Sequence, residues 1–66
     1  MGAGGTDGRE VLFEYRAIGA VVRVAAIDVA TGTEITVMGP ASAAQSDLQR
    51  LALSKLKARL AALGAG

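Results

Sequence analysis

Apolar and polar residues alternate along residues 9–18, a period of two that is typical of a half-buried β-strand. The apolar side of this stretch carries Val11, Phe13, Tyr15 and Ala17. The opposite side is mostly charged and carries Glu10, Leu12, Glu14 and Arg16. Residues 21–28 continue the alternation, and their apolar side carries Val22, Val24 and Ala26. We therefore predict two antiparallel strands, with residues 21–28 at the centre of a sheet.

Two turns set the register of this predicted sheet. Gly19-Ala20 separates the first two strands, and glycine at the first position is what a two-residue type II′ hairpin requires. The resulting pairs are Ile18 with Val21, Tyr15 with Val24 and Leu12 with Ile27. A second turn, residues 28–33, contains Gly32 and closes as a four-residue loop between paired end residues. With both registers the apolar face is continuous across three strands, the third over residues 33–38.

A helix is predicted for the last third of the chain. Pro40 is expected to end the sheet, because proline cannot continue the hydrogen-bonded ladder. Good helix formers follow over residues 43–63. Ser42 and Gln45 have the spacing of a capping box, so we place the helix start near Ser42, and Gly64 is expected to cap its end. The face predicted to cover the sheet carries Leu48, Ala52, Leu56, Leu60 and Leu63.

These elements predict an α+β fold: a three-stranded antiparallel meander sheet (order 1-2-3) with one C-terminal helix packed on one face. Residues 9–66 form a single βββα domain in this interpretation, and the glycine-rich residues 1–8 form a disordered tail. The chain of 66 residues has no cysteine, which excludes a disulfide. It has neither a signal-peptide pattern nor an apolar run near the ~20 residues of a membrane span, so a cytoplasmic protein is expected.

The order and spacing of several short motifs resemble a family of small uncharacterised bacterial proteins. The motifs are E-V-L-F-E-Y-R (Glu10 to Arg16), I-G (Ile18, Gly19), V-R-V (Val22 to Val24), A-I-D (Ala26 to Asp28), A-T-G-T-E (Ala30 to Glu34) and G-P (Gly39, Pro40). This resemblance covers residues 9–63. It implies a domain of unknown function, and it transfers no catalytic or binding residue.

The residue types argue against an enzyme. Without histidine or cysteine, the chain lacks the commonest general base, the commonest metal ligand and a thiol nucleophile. Glu10 and Glu14 share a strand face, but a chain this short does not build the cleft that a catalytic carboxylate pair needs. We expect no catalytic residue, no cofactor and no metal site.

The remaining hypothesis is a small protein-interaction or regulatory domain that self-associates as a homodimer, with another protein as a further partner. Two contacts qualify for the homodimer: Leu53 with Leu60 on the helix, or the outer sheet face with Leu12, Ile27 and Met38. The alternative function is weak nucleic-acid binding through the sheet face or the basic helix. That face carries two arginines against three glutamates and no aromatic residue, and the net charge is +1, so nucleic acid is not the expected partner. A membrane partner is not expected either.

Overall fold

The computed structural model describes residues 10–64, which form three antiparallel strands followed by one helix. The strands are β1 (Val11–Ile18), β2 (Val21–Asp28) and β3 (Glu34–Pro40), and the helix is α1 (Gln45–Ala62). The sheet order is β1-β2-β3, so the predicted meander is confirmed. The predicted glycine-rich tail, residues 1–8, lies outside the described residues.

The first hairpin has the predicted register. Ile18 pairs with Val21 across the turn, and Leu12 pairs with Ile27 further along. Gly19 has a φ of 61°, which is the left-handed conformation that the first position of this turn demands. The alternation of residue types and the glycine therefore determine the same pairing.

The second turn is also the predicted four-residue loop. The Asp28 amide donates to the Thr33 carbonyl at 2.8 Å, and the Gly32 amide donates to the Asp28 carbonyl at 2.8 Å. Gly32 takes the left-handed conformation with a φ of 74°. The side chain of Asp28 is fully buried, and its Oδ2 accepts hydrogen bonds from the Thr31 amide at 3.1 Å and the Thr31 hydroxyl at 2.6 Å. The turn is thus held by both backbone and side-chain bonds.

The prediction that the sheet ends before Pro40 was wrong, because β3 continues through Gly39 and Pro40 opposite β2. The reason lies in the alternation of hydrogen-bonded and non-bonded pairs along an antiparallel ladder. The Ala41 amide donates to the Ala20 carbonyl at 2.8 Å, so the next pair, Pro40 with Val21, is a non-bonded one. The nitrogen of Pro40 therefore faces the free edge of β3, where no ladder bond is lost.

The predicted capping box at the helix start was also wrong. The N-cap is Ala44, in an extended conformation (φ −66°, ψ 131°), and no side chain caps the helix. The Ala43 amide donates instead to the Pro40 carbonyl at 2.9 Å, so a tight turn holds the residues around Ser42 out of the helix. At the other end the prediction is confirmed: Gly64 has a φ of 77°, and its amide donates to the Ala61 carbonyl at 3.1 Å.

The core lies between α1 and the sheet, mainly β2 and β3, and includes Val11 at the start of β1. Its buried side chains are Val11, Val24, Ala26, Val37, Leu48, Ala52, Leu56 and Leu60. A helix is about 10–12 Å wide and strands are spaced about 4.8 Å apart, so one helix covers roughly two strands. This geometry corrects three predicted core positions: Tyr15 is 36% exposed, Ala17 is exposed, and Leu63 beyond the last helical turn is 62% exposed.

Candidate interaction surfaces

The outer edge of β1 is the first surface that residues 10–64 leave uncovered. The Val29 amide donates to the Glu10 carbonyl at 3.1 Å, which shows that even-numbered residues of this strand are hydrogen-bonded to β2. The backbone groups of the odd-numbered residues consequently point away from the sheet. These residues are Val11, Phe13, Tyr15 and Ala17. A strand of eight residues thus presents donors and acceptors to an additional strand.

The edge of β3 differs from that of β1. The same alternation places Pro40 at a position whose backbone faces outwards, and proline has no N–H to offer. Proline on an edge strand is one of the ways in which proteins prevent the pairing of a further strand. β1 contains no proline, so the two edges of this sheet are not equivalent.

The inner face of β1 becomes progressively more exposed along the strand. Val11 is buried, Phe13 is partly buried, and Tyr15 and Ala17 are exposed. The Tyr15 hydroxyl donates a hydrogen bond to Oε1 of Gln49 on α1. A groove of about 330 Å³ opens beside this contact, and its lining includes Tyr15, Ala17, Val22, Ala43 and Leu48. The helix therefore leaves a partly apolar gap over the end of β1.

The outer face of the sheet is the second uncovered surface. Its residues form four rows across the strands: Leu12–Ile27–Glu34, Glu14–Ala25–Thr36, Arg16–Arg23–Met38 and Ile18–Val21–Pro40. The structure thus brings Leu12 and Ile27 together but sets Met38 two rows away, opposite Arg23. Leu12 is 40% exposed and Met38 is 60% exposed, whereas Ile27 is partly buried.

Charged side chains surround the middle of the outer face. Ala25 is only 6% exposed and lies in a depression of about 150 Å³ whose walls are Glu14, Arg16, Arg23 and Glu34. None of these four groups forms a salt bridge with another described residue, whereas Asp47 and Arg50 on α1 approach to 3.7 Å. Both signs of charge on this face are thus open to an external partner.

The two helical candidates lie towards the core. Leu60 is 2% exposed, and Leu53 is partly buried and packs against the core cluster. Leu51 and Leu63 are the leucines of α1 and its C-terminal cap that remain exposed, at 44% and 62%. Both leucines therefore take part in packing the helix on the sheet.

The described residues, 10–64, contain no group of three or more acidic, histidine or cysteine side chains placed to hold a metal ion. Within the same range, no helix combines the length and the apolar character that crossing a bilayer requires. The buried carboxylate, Asp28, is engaged in the second turn.

The edge of β1 was missed by the sequence reasoning, which placed Tyr15 and Ala17 under the helix. A usable signal was present: one helix is too narrow to cover three strands. The short connection of residues 41–44 also keeps the start of α1 close to β3. Together these two facts identify β1 as the strand that is left uncovered.

Comparison with known proteins adds a family to this description. The sequence matches the model of a domain of unknown function, DUF6898, over residues 8–63, a span that includes all three strands and the helix. No curated protein and no solved structure matches the chain. The match confirms the resemblance to an uncharacterised family and attaches no activity to any residue. The chain belongs to the DUF6898 family.

Proposed function

We propose that this domain is a non-enzymatic interaction module that pairs with a second copy of itself. The observation that carries the proposal is the partial cover of the sheet: α1 packs on β2 and β3 and leaves the end of β1 exposed on its inner face. An open strand edge beside an apolar gap is a surface that proteins of this size commonly complete by association.

The charge pattern favours a second copy over an unrelated partner. Glu14 and Arg16 stand two positions apart on β1, on the same face of the sheet. An antiparallel copy of this strand can set each acidic group against a basic one, so the surface is complementary to itself. A purely acidic or purely basic edge would instead require a partner of the opposite charge.

The residues that carry titratable groups support a non-enzymatic role. The carboxylates of Glu10, Glu14 and Glu34 are on exposed residues, where water solvates them. Asp28 is buried, and its carboxylate accepts a hydrogen bond from the Thr31 hydroxyl within the second turn. The chain has no histidine or cysteine, so these carboxylates have no histidine base and no thiol nucleophile beside them, the groups that catalysis at neutral pH commonly uses.

Sedimentation of the purified protein over a series of concentrations tests the proposal. We expect a reversible monomer–dimer equilibrium within the micromolar range, because eight residues of edge strand and a partly apolar gap form a moderate contact area. A protein that sediments as a monomer at high micromolar concentration would refute self-association.

A further inference from the structure

We propose that two copies join through antiparallel pairing of their β1 strands, in the one register that places the two-fold axis at Tyr15. The result is a continuous six-stranded sheet with order β3-β2-β1-β1-β2-β3 and both helices on the same side. This inference rests on the proposed function, since it specifies how the second copy binds.

The backbone limits the registers that are available. The outward-facing groups belong to the odd-numbered residues of β1, so odd residues must pair with odd residues of the partner. Within this limit the axis can pass through any residue of the strand. With the axis at Tyr15, three pairs exchange backbone bonds: Tyr15 with the partner's Tyr15, Phe13 with the partner's Ala17, and Ala17 with the partner's Phe13.

Charge excludes two of these registers and favours the one with the axis at Tyr15. An axis at Glu14 or at Arg16 would set that residue against its own copy, and like charges directly opposite each other destabilise a strand pair. An axis at Tyr15 sets Glu14 against the partner's Arg16, and symmetry repeats the pair. These are non-bonded positions of the ladder, where Cα atoms approach to about 4.5 Å and side chains are closest. The acidic and basic groups of β1 are therefore paired twice.

The same register also places apolar residues of the two copies opposite one another. Leu12, which is 40% exposed, stands opposite the partner's Ile18, which is 50% exposed, on the outer face. On the inner face the large side chain of Phe13 stands opposite the small Ala17 of the partner. Ala17 lines the 330 Å³ groove, so the partner's phenylalanine lies at the mouth of that gap. The edge pairing thus covers the surfaces that α1 leaves exposed on β1.

Reversal of charge tests the register. Glu14→Arg places arginine against arginine at two symmetric positions, and we expect the dimer dissociation constant to rise at least about tenfold. The double variant Glu14→Arg/Arg16→Glu restores both opposite-charge pairs and should dimerise as the parent does. Glu34→Arg makes the same change of net charge on the same sheet face, but on β3, and should leave the dimer intact.

Cross-linking provides a second test that does not depend on affinity. The chain has no cysteine, so Tyr15→Cys introduces a single thiol on the proposed axis. The two Cα atoms of a bonded antiparallel pair are about 5.5 Å apart, which a disulfide can span. Mild oxidation should give a covalent dimer of Tyr15→Cys. Ile18→Cys should give none, because six residues of strand, roughly 20 Å, separate the two thiols.

The outcomes separate this inference from the proposal on which it rests. If Glu14→Arg folds and dimerises like the parent, or if Ile18→Cys cross-links and Tyr15→Cys does not, the register is wrong. A folded monomer from Ile27→Lys or Leu53→Lys, with Glu14→Arg still dimeric, would move the contact to the outer face or to the helix. Self-association would stand in each of these cases. A monomeric parent would refute both proposals.

Discussion

Asp28 shows how one buried polar side chain can define a turn. It ends β2, is fully buried, and accepts two hydrogen bonds from Thr31 through Oδ2. The same residue exchanges backbone bonds with Thr33 and Gly32, so side chain and main chain hold one conformation. Because Asp28 and Thr33, the residues that flank this loop, are paired, a fault here would shift the register of β3 against the core.

Replacement of Asp28 should therefore weaken the fold more than replacement of a surface carboxylate. We expect Asp28→Ala to lower the free energy of unfolding by about 1–3 kcal/mol, because the donors of Thr31 lose a buried acceptor. Asp47→Ala is the matched control, since it removes an exposed carboxylate that pairs with Arg50, and its effect should stay within about 0.5 kcal/mol. Urea unfolding followed by circular dichroism measures both, and equal effects would contradict the role of the turn.

Val24 lies at the centre of the core. It is fully buried in the central strand, between Tyr15 on one side and Val37 on the other. Val24→Asp puts a charge where no partner group is available, and in a chain of this size we expect the cooperative thermal transition to disappear. Val29→Asp makes the same substitution at a residue that is 47% exposed and should preserve the transition. A cooperative transition retained in Val24→Asp would show that this core is wrongly described.

At the scale of the elements, the close approach of α1 to β3 depends on Gly39. A Cβ atom built at this position would lie 2.6 Å from Cδ2 of Leu48, a residue that is itself 8% exposed. Such a distance is too short for two carbon atoms, so the side chain of Leu48, which lies between the core and the groove beside β1, would have to shift. Glycine at this position lets the first turn of the helix lie directly on the end of the strand.

Gly39→Ala should therefore destabilise the protein, by about 1–3 kcal/mol from overpacking. In a Leu48→Ala background the clash is absent, and alanine should then be neutral or stabilising because glycine carries an entropic cost in a strand. A double-mutant cycle from urea unfolding measures this change of sign. An equal effect of Gly39→Ala in both backgrounds would show that the contact with Leu48 is not the cause.

At the scale of the whole molecule, the outer sheet face is balanced in charge. Glu14 and Glu34 stand among Arg16 and Arg23 around Ala25, and the chain has a net charge of +1. A surface that binds nucleic acid needs an excess of positive charge or aromatic groups on which bases stack. The outer-face rows of the described sheet carry no aromatic residue.

We expect, accordingly, no binding to duplex or single-stranded nucleic acid at physiological salt. Titration of labelled strands, followed by fluorescence anisotropy, tests this. The variant Glu14→Arg/Glu34→Arg, which leaves four arginines around Ala25, is the positive control and should gain a weak binding that salt abolishes. Sub-micromolar binding by the parent would overturn the expectation and favour a nucleic-acid function.

The sequence by itself determined the three strands, their order and their register, although not the end of β3. Strand alternation has a period of two, and a slip of one residue would expose the apolar face, so only one pairing agrees with both turns. Gly19 and Gly32 occur at the turn positions where a positive φ is required, so the lengths of both turns could be predicted from the sequence. The helix and its capping glycine followed from residue propensities, which act locally.

Only the tertiary structure decided which residues of those elements are covered. The helical stripe and the apolar strand faces were correctly identified, but Tyr15, Ala17 and Leu63 proved to be exposed because a helix is about as wide as two strands. The start of α1 was displaced because the Pro40 carbonyl binds the Ala43 amide, a competition that a capping pattern does not reveal. The uncovered β1 edge, and with it the proposed dimer contact, results from where the helix lies, which depends on the width of the helix and the short connection after β3 and not on the alternation of residues along β1.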